Sequence, residues 1–236
     1  MNNKLFQRFY SGREGWIDGT TQFKRLIESR LRPEFEILDL GAGQESAHNY
    51  RGVVRKVTGI DISGNIFSNL SLDEAYKCQV SQMPFKDNQF DLAYADWLLE
   101  HLAEPLPAAK EIYRVLKPDG ILIIRTPNLW HYIPLLGRLT PFKAHIFLRR
   151  FLQDEDEANT FRTYYRLNTI SKVKRVFRKA GFIAEELSLV EKEPSYLMKW
   201  DWLFTIGLAY ERLVNSTESL RRLRANIFAV FRKPIS

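Results

Sequence analysis

Cysteine is nearly missing from the 236-residue chain: Cys78 stands alone, so no internal disulfide framework can hold the fold. A lone cysteine fits a reducing compartment. Its place before an apolar stretch reads as a packed thiol rather than a nucleophile. Long apolar runs are missing too. Charges interrupt every candidate, so none is long enough to span a bilayer. The opening MNNKLFQRFYSGREGW lacks the apolar segment of a secretory leader. Together these absences predict a cytoplasmic location. Internal repeats and low-complexity segments are also lacking, which excludes solenoids and fibrous arrays. The net charge is +7, but the basic residues are scattered, and the densest cluster is Arg221-Arg222-Leu223-Arg224. Without basic and aromatic interleaving, a solvated basic face is expected and no nucleic-acid partner.

What is present is an ordinary globular composition, 45% hydrophobic and 27% charged, long enough for one sizeable core. Helical spacing runs over 20–31, with Phe23, Leu26, Ile27 and Leu31 on one side. Strands are predicted at 36–40, 53–62, 76–80, 90–95 and 120–125, with helical stretches at 66–76 and 98–116 between them. A helix at 168–180, a strand at 182–190, a mostly helical 194–223 and a strand at 226–231 follow. This alternation predicts an α/β fold with a doubly wound, mostly parallel sheet. The whole of 1–236 reads as a single domain. Aromatic-rich insertions at 127–167 and 194–223 decorate its C-terminal half.

The first strand ends in Leu38-Asp39-Leu40-Gly41-Ala42-Gly43. Glycines there let the backbone take positive φ and approach a ligand, and a helix is expected to follow and offer its free N–H groups. Asp61 ends the second strand, about 20 residues beyond the first glycine, where an acidic side chain accepts from ribose hydroxyls. A dinucleotide-binding G-x-G-x-x-G would need glycine at position 46, which is Ser46.

Four segments in order carry a resemblance: ILDLGAG, GIDIS, SQMPFKDNQFDLAYADWLLEHL and RVLKPDGILII. They resemble the domain of class I S-adenosylmethionine-dependent methyltransferases over about 37–128. The resemblance implies a Rossmann-like, seven-stranded sheet with an antiparallel last strand, and S-adenosylmethionine as cofactor. It implies cofactor contacts from Gly41, Ala42, Gly43, Asp61, Ile62, Gln79, Val80, Ser81, Ala95 and Asp96. Gln79 departs from the family, which often has an acidic residue there. Its amide oxygen can still accept from the adenine amino group. YSGREGWIDGT resembles the segment that closes over the cofactor in related enzymes, which makes Tyr10, Arg13 and Trp16 covering residues. Arg13 suits the cofactor carboxylate.

The insertions are expected to form a lid beyond the carboxyl ends of the strands. TPNLWHY, His145 and TFRTYYRLNT resemble bacterial methyltransferases associated with surface-glycan biosynthesis, implying a sugar, glycan or other small-molecule hydroxyl as acceptor. A base helps an alcohol acceptor, and His145, then His101, are the candidates. His48 is expected to be structural. Some relatives carry Glu-x-x-Glu-His and a divalent metal. Here Glu100-His101 follows Trp97 in the place of the first glutamate, so no metal is expected. Two other functions stay open. One is quinone or lipid methylation at a membrane surface, with Trp200, Trp202, Phe204 and Tyr210 beside Arg212 and Arg221 to Arg224 as a peripheral contact. The other is a non-catalytic cofactor-binding module.

Overall fold

The structure is a computed structural model and describes residues 3–139, 161–194 and 197–235. Seven strands form one sheet: β1 (Glu36–Leu40), β2 (Lys56–Asp61), β3 (Glu74–Lys77), β4 (Phe90–Asp96), β5 (Leu116–Pro127), β6 (Ile183–Val190) and β7 (Asn226–Arg232). Their order is β3-β2-β1-β4-β5-β7-β6. The first five pair in parallel, and the last strand is antiparallel, as expected for this fold class. The order reverses between β1 and β4, the switch point at which open α/β sheets bind ligands.

Backbone contacts divide the chain into two compact units. One comprises Phe23–Thr126, Thr163–Ser188 and Ile227–Ser236, and it holds most of the sheet. Leu38, Leu40, Leu92, Tyr94, Leu122 and Ile124 are all fully buried on its central strands. Parallel strands covered on both faces read as continuous apolar runs, which is why β1, β4 and β5 stand out in the sequence. The helix Pro105–Val115 starts on proline, whose missing N–H costs nothing there, and buries Ala108, Ala109, Ile112 and Val115. It is shorter than the helix expected over 98–116. Pro105 cannot continue a helix from Leu98, and a single 3-10 turn, Leu99–His101, precedes it. The helix Ile170–Lys179 follows the cap logic: Thr169 accepts from the Lys172 N–H, and Gly181, with φ of +109°, ends it.

Two further expectations are corrected. No helix follows the glycine turn, since 41–55 is irregular. Ser46 and His48 are instead drawn onto the side chains of Asp39 and Asp96. β5 begins four residues earlier than expected. Phe90 pairs with Leu116 and Leu92 with Ile121, so the intervening residues bulge, with Asp119 at φ of +67°.

The second unit comprises Met1–Gln22, Pro127–Arg162 and Leu189–Asn226, and most of both expected insertions falls within it. Its longest helix, Asp201–Ser216, buries Phe204, Gly207, Glu211 and Val214. The Tyr10 hydroxyl donates to Glu211 Oε2 at 3.2 Å, and the Tyr10 and Phe204 rings meet edge to face at 5.9 Å. The Asn128 amide donates to the carbonyls of Arg222 and Arg224, at 2.8 and 2.7 Å.

Candidate cofactor site

The carboxyl ends of β1, β2 and β4 lie side by side, because Leu40 is in register with both Ile60 and Ala95. The chain leaves β1 through Gly41 and Gly43, with φ of +76° and +57°. The Gly41 and Ala42 N–H groups both donate to the Ile60 carbonyl, at 2.8 and 3.0 Å, which fastens the turn to β2. The Gly43 N–H donates to Asp61 Oδ2 at 3.1 Å, and the Ser63 N–H to Oδ1 at 2.7 Å. Two backbone donors orient this half-buried carboxylate and leave lone pairs for hydroxyls.

Asn69 was not singled out in the sequence. Its buried amide donates to the carbonyls of Ala42 and Gly43, at 3.1 and 3.2 Å, and so holds the turn from the other side. Nothing in its local sequence separates it from an ordinary loop asparagine.

Asp39, just inside β1, is fully buried. It accepts from the Tyr94 hydroxyl at 2.8 Å and from the Ser46 hydroxyl at 3.2 Å. Burial outweighs these bonds and pushes its carboxyl up to about 7. Asp96, at the end of β4, accepts from Arg125 Nε and Nη2, both at 2.5 Å. The His48 ring nitrogen Nε2 lies 2.9 Å from Oδ2. Arg125 in turn lies over the rings of Phe23 and Trp97, at 5.2 and 5.1 Å. Both oxygens of Asp96 are therefore engaged within the chain, and His48 is buried beside it. The signal for Arg125 was available: a charge inside the apolar run GILIIRTP demands a buried partner.

The turn after β3 carries the remaining expected contacts. The Cys78 N–H donates to the Asp61 carbonyl at 2.9 Å, so Gln79, Val80 and Ser81 begin beside the end of β2. Gln79 is exposed, Val80 buried and Ser81 half-buried, while Ile62 is 55% exposed. Burial raises the Cys78 thiol to about 11, in keeping with a packed, unreactive role.

S-adenosylmethionine fits what these residues offer. A Cβ built on Gly43 would meet nothing within 4 Å, so the turn opens toward free space beside Asp61. A half-buried carboxylate next to an open glycine face suits a ribose diol, and the neighbouring amide and apolar groups suit an adenine. Tyr10, Arg13 and Trp16 belong to the other unit. There Tyr10 is buried and packs against Trp16 with ring centroids 5.5 Å apart, whereas Arg13 is exposed.

Of the candidate bases, His145 lies outside the described residues. His101 is half-buried in the 3-10 turn after β4. Its neighbour Glu100 is buried, accepts from the Thr126 hydroxyl at 3.0 Å, and is pushed up to about 7 mainly by burial. Thr126 also accepts from the Asn168 amide at 2.9 Å. His131, in the second unit, is pushed down to about 4 by burial, and its Nε2 lies 3.7 Å from Glu191 Oε2. Glu191 is raised to about 8 for the same reason, so burial neutralises both members of this pair. Among the described residues, no group of three or more His, Cys, Asp or Glu is placed to hold a metal ion.

The raised Glu100 carboxyl makes stability depend on pH. The folded state holds this proton more tightly than the unfolded chain, whose ordinary value is 4.5. Its contribution is complete below that value and is lost as pH rises through about 7. Glu100→Gln should flatten this part of the profile, as measured by urea unfolding at a series of pH values. An unchanged slope would place the titrating proton elsewhere.

Residues 38–124 match the family described as "Methyltransferase domain". Demethylmenaquinone methyltransferase from Staphylococcus aureus is 27% identical over 143 residues, 56% of this chain and 59% of that protein. The chain thus spans about three fifths of the length of the curated relatives it matches. Among solved structures, the [4+2]-cyclase SpnF superposes with a TM-score of 0.59 at 20% identity, covering 95% of this chain and 84% of its own. An S-adenosylmethionine-dependent methyltransferase from Methanosarcina mazei gives 0.55 at 17%, covering 89% and 98%. Residues 38–124 thus resemble a methyltransferase domain, and the fold is the one seen in solved S-adenosylmethionine-dependent methyltransferases. S-adenosylmethionine is the cofactor of that class.

Proposed function

We propose that the chain transfers a methyl group from S-adenosylmethionine to a hydroxyl oxygen of a sugar, a glycan or another small molecule. The observation that carries this is the glycine turn fastened to Asp61 at the switch point of the sheet, within the matched domain. When bound, the cofactor supplies a methyl group on a cationic sulfur, open to in-line displacement. The protein's part is to align the acceptor and exclude water. Asp61 binds the ribose hydroxyls. Gln79, Val80, Ser81 and Ile62 hold the adenine, and Gly41 to Gly43 let the backbone approach. Arg13 takes the cofactor carboxylate, with Tyr10 and Trp16 covering it. His145 accepts the acceptor's proton, or else His101 does. The insertions at 127–167 and 194–223 form the lid. The proposal includes glycan biosynthesis as the setting and a cytoplasmic location, supported by the single cysteine.

Asp61→Ala should weaken cofactor binding by roughly 1–3 kcal/mol, since charge-assisted hydrogen bonds to the ribose are lost. Equilibrium dialysis checks this, and unchanged affinity in a folded variant would remove Asp61 from the site. The acceptor is tested by transfer of a labelled methyl group to a panel of nucleotide sugars and oligosaccharides. Label on a sugar oxygen is expected. The Staphylococcus aureus relative favours a second reading, a quinone or lipid acceptor, so label on a demethylated quinone alone would replace the first. The structural neighbour SpnF is a [4+2]-cyclase, so this fold also serves chemistry other than methyl transfer, and a third reading is a cofactor-binding role without it. Tight cofactor binding with no label on any acceptor would point there.

A further inference from the structure

The helix Asp201–Ser216 is two-faced. Phe204, Gly207, Glu211 and Val214 are buried within its own unit, and Gly207 is pressed so closely on Pro194 that a Cβ would come within 2.4 Å. The opposite side is also apolar but faces solvent. Trp202, Ile206 and Leu213 are 62%, 55% and 57% exposed, with exposed Ala209 between them. At about 100° per residue these four share an arc of roughly 60°. Of the aromatics first considered for such a surface, Phe204 points inward and Tyr210 spends its hydroxyl on the Leu223 carbonyl at 2.6 Å.

Cations flank the stripe on both edges. Arg212 is half-exposed on one. On the other, the Tyr210 bond brings in the 3-10 turn Glu218–Leu223, with Leu223 partly exposed and Arg221 and Arg222 exposed. Over 199–224 the chain sets Lys199, Arg212, Arg221, Arg222 and Arg224 against Asp201, Glu211 and Glu218. Glu211 is buried, accepts from Tyr10 and Asn215 and pairs with Arg212 at 3.4 Å. Glu218 is paired with Arg221 and Arg224, so five cations against three acids leave a positive excess. The solvent side is therefore an apolar ridge with a positive rim. No helix among the described residues is long and apolar enough to cross a membrane.

We propose that the helix Asp201–Ser216 docks in the plane of an anionic lipid membrane. Trp202, Ile206 and Leu213 enter the boundary between headgroups and acyl chains, and Arg212, Arg221 and Arg222 meet lipid phosphates. This rests only on the second unit and stands apart from the cofactor reading.

The test is co-sedimentation of the full chain with phosphatidylcholine vesicles, plain or containing roughly one-third phosphatidylglycerol. Binding is expected on the anionic vesicles and should weaken with salt. Trp202→Ser with Ile206→Ser should reduce it at least about tenfold by removing buried apolar area. Arg221→Gln with Arg222→Gln should reduce it about fivefold per cation, on anionic vesicles only. All four side chains are solvent-facing, so thermal unfolding of the variants should match the parent. No binding by the parent chain, or equal binding by both variants, would overturn the proposal. So would a parent dimer that Trp202→Ser with Ile206→Ser makes monomeric without any vesicle binding, since the ridge would then be a self-association face.

Discussion

Gly41→Val should abolish measurable cofactor binding and cost about 2–5 kcal/mol of stability, combining backbone strain with overpacking. Position 41 has φ of +76°, which a β-branched residue adopts only under strain. A Cβ there would already lie 3.0 Å from Leu98 Cδ1, and valine adds two methyl groups beyond it. Relief requires moving the turn. Moving the turn breaks the paired N–H bonds to the Ile60 carbonyl and shifts Gly43 away from Asp61. Gly64→Ala is the matched control, because its Cβ would meet nothing within 4 Å and its backbone is not left-handed. Urea unfolding and cofactor titration of both variants check this. A Gly41→Val protein that binds cofactor normally would mean that the turn is not the cradle.

Arg125→Leu should destabilise the chain by about 3–5 kcal/mol, the usual cost of stranding one member of a buried ion pair. The Arg125 and Asp96 side chains are only 4% and 14% exposed. Without the guanidinium, the Asp96 carboxylate keeps a single partner, His48, and the contacts over Phe23 and Trp97 disappear. Arg125→Leu combined with Asp96→Asn should recover part of the loss, because the uncompensated charge is then gone. Denaturant midpoints of the two single variants and the double variant measure the coupling. A loss under about 1 kcal/mol for Arg125→Leu would show that the pair is solvated rather than buried.

The sheet was readable because buried parallel strands are written as uninterrupted apolar runs. β1 matches its expected limits, and β4 extends only to Asp96. Glycines and an acidic residue at strand ends marked the candidate cofactor site, since positive φ and ribose recognition each demand particular residue types. The parts that were not readable depend on tertiary partners. The segment after Gly43 was expected to be helical. Asp39 and Asp96 reach out from neighbouring strands to Ser46 and His48, and no local pattern announces that. Asn69 serves the turn through two carbonyls 26 and 27 residues away. Pro105, by contrast, was a legible break in the helix expected over 98–116. Among candidate bases, chemistry alone ranks histidines, and only position decides. His131 illustrates this, since burial holds its imidazole near 4.

The central claim is that the ends of β1 and β2 hold S-adenosylmethionine through the glycine turn and Asp61. Isothermal titration of the full chain with S-adenosylmethionine tests it most directly. Saturable one-site binding is expected, clearly weakened in Asp61→Ala and unchanged in Gly64→Ala. No heat of binding at millimolar cofactor, or equal affinity in Asp61→Ala, would contradict it.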